Sequence, residues 1–361
     1  MKRIELNKHK ENNFEVPSNI FDNQKKIFIS TNLNNQSTQK SIINKAIKLH
    51  LEGNIKEAEK LYQFCLNEDY NDARVFSNYG SILKGNGNLG KAELMQRKAL
   101  SLKPNDAKSH FNLGNTLNDL GNLNEAEICH RRAIKLQPDL ADAYFNLSLI
   151  ELLKGDYKSG LENYEFRLKK THPTIPNGNT KITKKNFKNL KKGDKLLVAS
   201  EQGLGDTLLF MRYIPYLRKQ GLDISFCAQS KLHSLIKASA IDPNPLTTEK
   251  ENIAYKGLWI PLLSLPRYLD VNPRNPIISK PYIISTDELI NKWGSILSKE
   301  KKPIVGINWE CSKTLSKALS RGIPLEMFSI LLKKNDIKFL SLQKGFGSEQ
   351  LNNCSFKNKF V

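Results

Sequence analysis

The chain has 361 residues and a formal net charge of +20 at pH 7, and 39% of its residues are hydrophobic. This length predicts two domains or slightly more, each able to bury its own core. Without a run of about 18 apolar residues or a signal-peptide pattern, we expect no transmembrane segment. The five cysteines and six histidines are scattered, which predicts a reduced, cytoplasmic setting and no metal site.

Two segments have the composition of polar, non-globular chain. Residues 1–38 are rich in Asn, Lys and Gln without a sustained period, which predicts a mostly disordered leader. Residues 169–195 contain nine Lys against one Asp, with Pro and Gly among them. Because no aromatic residues alternate with these lysines in a known motif, we interpret 175–194 as a basic linker and expect no specific nucleic-acid binding.

A 34-residue period organises the first half, over residues 39–174. Each unit has the 3.6-residue periodicity of two helices, joined at a glycine that supplies a left-handed turn. A small residue in the second helix allows close packing on the first, so four units should stack into a solenoid with a concave side. The units begin at residues 39, 73, 107 and 141, the turn glycines are Gly53, Gly87, Gly121 and Gly155, and the small residues are Ala58, Ala92, Ala126 and Gly160.

These units resemble the tetratricopeptide repeat (TPR), in which the first helices line the concave groove. The sixth position of every unit is asparagine: Asn44, Asn78, Asn112 and Asn146. An amide both donates and accepts hydrogen bonds, so this row can pair with the backbone of an extended peptide. It resembles the asparagine ladder in the TPR arm of O-linked N-acetylglucosamine transferases. The alternative is that these amides only cap or pack locally.

The period changes at residue 195. The apolar run "KLLVAS", the turn "EQGLGD", the helical "TLLFMRYIPYLRKQ" and the apolar "GLDISFC" predict a βαβ unit, in a Rossmann-like lobe over 195–300. Ligands of such sheets lie beyond the carboxyl ends of the strands, where this Gly-rich turn falls. A second such lobe begins over 301–361, with strands at 303–309 and 337–343 around a helix at 324–333.

Four ordered motifs carry a further resemblance: "EQGLGDTLLFMRYIP", "PLLSLP", "VGINWE...RGIPLEMF" and "SLQKG". Together with the repeats they are similar to bacterial proteins that join a TPR arm to a glycosyltransferase-like region. That region is related to lipopolysaccharide heptosyltransferases and more distantly to O-linked N-acetylglucosamine transferases. The resemblance implies a fold of TPR α-solenoid followed by a GT-B-type α/β region, whose two Rossmann-like lobes face an active-site cleft.

The resemblance also implies roles for individual residues. Asp206 would be the general base that takes the proton of the acceptor hydroxyl, although an ordinary N-cap is the alternative for an acid at that place. Its loop partners are Glu201, Gln202, Gly203 and Gly205. Lys317 and Arg321 would neutralise the diphosphate of a nucleotide-sugar donor, so no metal or other cofactor is implied. The alternative for Arg321 is a solvated loop charge.

The sequence departs from this family in two ways. Gly322 stands where the family has serine, and about 60 residues of the donor lobe are present against the ~100 to 200 of a complete lobe. We therefore expect a truncated second lobe and weak or absent sugar transfer. The alternative function is a TPR scaffold that binds a protein or peptide without catalysis.

Overall fold

The computed structural model describes residues 36–170, 180–247, 257–277, 280–311, 322–332 and 336–361. The chain divides into two compact units. The first comprises residues 1–173 together with 270–274, and helices make up most of its described part, residues 36–170. The second contains all of the strands of the described part and comprises residues 174–269 and 275–361.

Eight helices of the first unit form four antiparallel pairs, one pair for each 34-residue repeat. Each first helix packs on the second helix of its own pair and on that of the preceding pair. A short helix follows the last pair. The pairs are α1 (Gln36–Leu51) with α2 (Ile55–Asn67), α3 (Ala73–Gly85) with α4 (Leu89–Leu102), α5 (Ala107–Asp119) with α6 (Leu123–Leu136), and α7 (Ala141–Leu153) with α8 (Tyr157–Tyr164), and the short helix is α9 (Arg167–Lys170).

The turns inside the pairs confirm the role predicted for the repeated glycines. Gly53, Gly87, Gly121 and Gly155 have φ values of 81°, 80°, 81° and 85°. Residues with a Cβ rarely adopt this left-handed conformation, so glycine ends the first helix and turns the chain towards the second. Between repeats, the carboxylate of Asp106 caps α5 by accepting from the backbone N–H of Ser109 at 2.9 Å.

In the two central pairs the helices approach closely because a small residue in the first helix faces a large residue in the second. A Cβ added at Gly80 would lie 2.8 Å from Cγ of Gln96, and one added at Gly114 would lie 2.8 Å from Cε1 of His130. In the fourth pair Gly160 of the second helix has the predicted role, since an added Cβ would lie 2.7 Å from Cγ of Leu152. Gln96 and His130 occupy equivalent positions and are fully buried. Their side-chain polar atoms have no hydrogen-bond partner among the described residues. The two central pairs therefore bury polar groups that lose their contacts with water.

The second unit contains a parallel five-stranded sheet of order β1-β5-β2-β3-β4. Its centre is apolar, with Leu197, Ala199, Cys227 and Trp259 in one buried cluster. The elements in chain order are β1 (Thr180–Lys181), α10 (Lys184–Lys188), β2 (Lys195–Ala199), α11 (Leu204–Phe210), α12 (Tyr213–Lys219), β3 (Asp223–Ala228), α13 (His233–Ala238), β4 (Leu246–Thr247), β5 (Leu258–Pro261) and α14 (Leu265–Tyr268).

The helix predicted after the Gly-rich turn is divided into α11 and α12. Pro215 lies in the first turn of α12, and α11 ends before Met211. A proline has no N–H to donate, and its ring clashes with the carbonyl four residues earlier, which here belongs to Met211. The break therefore falls one turn ahead of the proline.

A separate two-stranded parallel sheet follows the exposed helix α15 (Asp287–Leu297). Its strands are β6 (Ile304–Ile307) and β7 (Lys338–Ser341), close to the predicted bounds, and a 3₁₀ segment at Leu325–Leu332 stands where a helix was predicted. Phe339 of β7 forms an isolated bridge with Phe360. The last short helix, α16, spans Gln350–Asn353.

Two boundaries differ from the sequence-based expectation. The α/β unit begins inside the segment interpreted as a linker, because Thr180 and Lys181 pair with β5 and Ile182 is buried. The predicted leader lies outside the described residues up to residue 35, and α1 already begins at Gln36.

Alanine at Gly114 should destabilise the helical unit, because the new Cβ meets the buried ring of His130. Overpacking of this kind costs about 1–3 kcal/mol. The matched control is Gly85→Ala, where a Cβ would meet nothing within 4 Å, so the gain in helix propensity should stabilise by up to about 1 kcal/mol. Circular dichroism measures the thermal midpoint of each variant. Relative to the wild type, the midpoint should fall in Gly114→Ala and rise in Gly85→Ala, and shifts of the same sign would contradict this packing.

His130 should make the helical unit less stable at acidic pH. Burial lowers the pKa of its imidazole from 6.5 to about 4. Between these values the unfolded chain binds a proton that the folded chain does not, so stability is lost as the pH falls from about 6.5 to about 4, by roughly 3 kcal/mol in total. The wild type should therefore lose more stability than His130→Phe between pH 7 and pH 5, measured as the shift in midpoint. Equal shifts would show that the imidazole is not held neutral.

Candidate functional site

The four predicted asparagines lie on the first helices of the four pairs, and none of them is buried. Consecutive first helices approach each other more closely than consecutive second helices do, as α1 with α3 and α3 with α5 show. The side of a stack on which its members are closest is its inner side. The first helices, which carry the asparagines, therefore form the inner side of the stack. We call this side the inner face.

Each asparagine contacts a neighbouring repeat. The Oδ1 atom of Asn44 accepts from Arg74 at 3.3 Å. Asn112 donates to Oγ of Ser77 at 3.2 Å, and Asn146 donates to Oδ1 of Asn115 at 2.6 Å. These bonds agree in part with the local alternative. An amide offers two N–H groups and an acceptor oxygen, so each side chain keeps capacity for a further partner.

The fourth asparagine, Asn78, lies beside the phenol of Tyr62 from the first pair. Burial raises the pKa of Tyr62 to about 12, and interaction with the Asn78 amide opposes part of that rise. Asn78 is half-buried. The four amides thus share a location at the junctions between repeats, with the most exposed at the first repeat.

Three further positions of each repeat lie on the same face of the first helix as position 6, and we call the residues at these four positions the inner-face stripe. Positions 2, 6, 9 and 13 follow the i, i+4, i+7, i+11 spacing of one helix face. The bond between Asn146 at position 6 and Asn115 at position 9 of the preceding repeat supports this placement. None of the sixteen residues is buried. In repeat order they are Lys40, Asn44, Ile47 and Leu51; Arg74, Asn78, Ser81 and Gly85; Lys108, Asn112, Asn115 and Asp119; Asp142, Asn146, Leu149 and Leu153.

Position 2 adds a row of positive charge that was not singled out from the sequence. Lys40, Arg74 and Lys108 occupy it in the first three repeats, and Asp142 in the fourth. Arg74 also pairs with the carboxylate of Asp72 at 2.7 Å. Comparing the repeats column by column would have revealed this row. The inner face therefore offers cations next to amides over three repeats.

The Gly-rich loop forms the start of α11. Gly203 is the N-cap, and Asp206 is the third residue of the helix. The Oδ2 atom of Asp206 accepts from the backbone N–H of Gly203 at 3.2 Å. Asp206 is half-buried, as are Glu201 and Gln202, while Gly203 and Gly205 are exposed. The side chain therefore bonds back to the N-cap residue from the third helical position and is not itself the N-cap that was considered as the alternative; its catalytic role stays a prediction.

A polar network behind this loop was missed. Thr207 is fully buried, and its hydroxyl bonds to the hydroxyl of Ser200 and to Oε1 of Gln229, the latter at 2.9 Å. Gln229 in turn donates to the backbone oxygen of Gln202 at 2.5 Å. Ser200 and Gln229 directly follow β2 and β3. The network therefore fixes the loop to the carboxyl ends of two neighbouring strands.

The loop also lies at the point where the strand order reverses. From β2 the chain adds β3 and β4 on one side, and β5 then pairs on the other side of β2. In open parallel sheets, ligands bind outside the carboxyl ends of the strands at this point. The predicted phosphate ligands Lys317 and Arg321 lie outside the described residues.

Two kinds of feature are absent from the described part of the chain. No group of three or more His, Cys, Asp or Glu side chains there is arranged to hold a metal ion. No helix there combines the length and apolarity needed to cross a lipid bilayer.

Comparison with known proteins bears on the helical unit. Residues 46–152 match the model of the Cilia and flagella-associated protein 70 middle TPR-like domain. A search of curated proteins returned no match.

Several solved structures are similar to parts of this chain. MamA is 23% identical, with a TM-score of 0.33, over 37% of this chain and 73% of MamA. YrrB, described as a TPR protein with an unusual peptide-binding site, is 21% identical, with a TM-score of 0.33, over 37% of this chain and 70% of YrrB. The first TPR of Spaghetti (RPAP3), solved with an HSP90 peptide, is 21% identical, with a TM-score of 0.31, over 33% of this chain and 94% of that one. Together, the family match over residues 46–152 and the four helix pairs at a 34-residue period show that this is a TPR-repeat protein with a TPR-like helical solenoid in its N-terminal part.

Proposed function

We propose that this protein is a binding module that holds an extended peptide segment of a partner protein against its inner face. The observation that carries the proposal is the row of four unburied amides at one position of successive first helices. An extended peptide exposes a backbone N–H or C=O every few ångströms, and amides match both groups whatever the peptide's side chains are. The row therefore supplies affinity along the length of the segment.

The amino-terminal end of the inner face favours acidic residues of the partner. Position 2 carries Lys40, Arg74 and Lys108 in the first three repeats and Asp142 in the fourth, whereas the other acid of the face, Asp119, lies at position 13. Opposite charges steer the encounter and reject basic sequences, while their net gain at an exposed surface is modest. We expect affinity for an acidic peptide to fall with ionic strength, because exposed charges are screened within about 10 Å at 0.1 M salt.

Loss of the amides should weaken peptide binding without unfolding the solenoid. The double variant Asn112→Ala and Asn146→Ala removes two members of the row. We expect affinity for an acidic peptide to fall by about 5- to 140-fold, since two lost hydrogen bonds together contribute ~1–3 kcal/mol. Fluorescence anisotropy of a labelled acidic peptide measures the dissociation constant. The thermal midpoint should fall modestly, because the variant also loses the bonds to Ser77 and Asn115 of the preceding repeats, each worth ~0.5–1.5 kcal/mol. Affinity is therefore measured well below that midpoint, where the variant is folded.

The matched control is Asn67→Ala, which removes an exposed amide from the second helix α2. Its peptide affinity should equal that of the wild type. If the double variant binds as tightly as this control, the amide row does not carry binding and the proposal is wrong.

Sugar transfer at the Gly-rich loop is the second candidate. It is favoured by the loop's place at the strand-order reversal, held there by the Thr207 and Gln229 network. In this proposal a nucleotide sugar is the donor and Asp206 is the general base. As the acceptor oxygen attacks the anomeric carbon, Asp206 takes its proton, the bond to the nucleotide diphosphate breaks, and Lys317 and Arg321 neutralise the departing charge.

Mass spectrometry of the purified chain incubated with nucleotide sugars tests this candidate. Any donor hydrolysis or transfer should fall about 100-fold or more in Asp206→Asn, because a general base contributes ~10²–10⁴ to the rate. Asp223→Asn, at the exposed amino end of β3, should leave turnover unchanged. Absence of turnover with every donor, or equal loss in both variants, would remove the candidate.

A further inference from the structure

At positions 9 and 13 of the inner-face stripe, the first and fourth repeats have large apolar residues, whereas the second and third repeats have none. Positions 9 and 13 are Ile47 and Leu51 in the first repeat and Leu149 and Leu153 in the fourth. Leu51 is 84% exposed, Leu153 is 72% exposed and Leu149 is 47% exposed. The corresponding residues of the middle repeats are Ser81, Gly85, Asn115 and Asp119.

The exposure of these leucines is unusual within the same helices. Other apolar residues of the first helices, such as Leu117 and Leu147, are buried in the pairs. The leucines at position 13, Leu51 and Leu153, are largely exposed, so they contribute little to the core of the solenoid. Large exposed apolar side chains that share one face with polar neighbours are typical of interaction sites.

The two apolar pairs lie three repeats apart. Neighbouring helices pack with axes 8–10 Å apart, so three steps between touching first helices span roughly 30 Å. An extended chain advances by about 3.3 Å per residue, so about nine residues separate side chains that reach both pairs. Between them the peptide passes positions 9 and 13 of the middle repeats, which are Ser81, Gly85, Asn115 and Asp119, with the amide row about one turn away on the same helices.

We infer that the partner segment carries two apolar anchor residues about nine positions apart, separated by a polar stretch. Leu51 with Ile47 receives one anchor, and Leu153 with Leu149 receives the other. This inference rests on the proposed peptide-binding function and adds the selectivity that the amides lack, since amides accept any backbone. The middle of the groove disfavours apolar residues, because an apolar side chain there would take water from the polar side chains of Asn115 and Asp119 and offer no hydrogen bond in return.

The experiment compares two labelled peptides of identical composition. In the first, two leucines stand about nine residues apart with aspartate, serine and glycine between them, and in the second the same leucines stand side by side in the middle. Anisotropy titrations with the full chain should give about tenfold tighter binding of the first peptide. Leu51→Asn and Leu153→Asn should each remove most of this preference, while Leu94→Asn, which changes a 62% exposed leucine on the second helix α4, should keep it.

The outcomes separate this inference from the function on which it rests. Equal affinity for the two peptides, still reduced in Asn112→Ala, would overturn the spaced anchors and leave the peptide-binding function intact. If neither peptide binds, both fail. Self-association of the chain that Leu51→Asn abolishes would assign these leucines to contacts between copies and overturn the inference as well. The thermal midpoint of each leucine variant, expected to match the wild type, shows that affinity losses do not come from unfolding.

Discussion

The helical half of this protein depends on how closely the two helices of each pair approach. A pair cannot bury its apolar face alone, and it becomes stable only when it packs tightly and stacks on the next pair. Gly80 and Gly114 make this approach possible, because a single added carbon would already be within 3 Å of a side chain on the opposite helix. The stack then places position 6 of every first helix on the same side, so the amide row follows from packing together with the repeat.

The inner face combines two kinds of recognition. Its amides suit any extended backbone, whereas its charges and terminal leucines differ from repeat to repeat. Ion pairs between repeats, such as Lys84 with Asp119 at 2.7 Å and Arg131 with Glu151 at 2.8 Å, join neighbouring pairs. A solenoid fixed in this way presents its groups at regular intervals, which lowers the entropy lost when a flexible peptide binds.

The sequence predicted the repeat well because its signals are local and repeated. A glycine every 34 residues requires a left-handed turn, and all four turns have φ near 80°. The strands of the second half were predicted where they are apolar runs, as in β2 and β3. The strand Leu258–Pro261 was missed, because its pairing with β2 depends on residues 60 positions away that no local pattern reveals.

The site was harder to predict from the sequence, because part of it also depends on contacts between residues that are far apart along the chain. The asparagines recur at one position and were found, whereas the network of Ser200, Thr207 and Gln229 forms only when two strand ends meet. Pro215 indicates in the sequence that this helix is interrupted, but not that the break falls between α11 and α12, one turn earlier. A proline acts on the carbonyl four residues earlier, and that displaced effect has to be calculated from helix geometry.

The buried amide of Gln96 and the buried imidazole of His130 have a mechanical consequence. In a linear array, stability is a sum over repeats and the interfaces between neighbours, so local opening starts where the sum is smallest. Buried polar groups without partners reduce that sum in the first three pairs, through Tyr62, Gln96 and His130. Local opening of the solenoid is therefore expected to start within these three pairs.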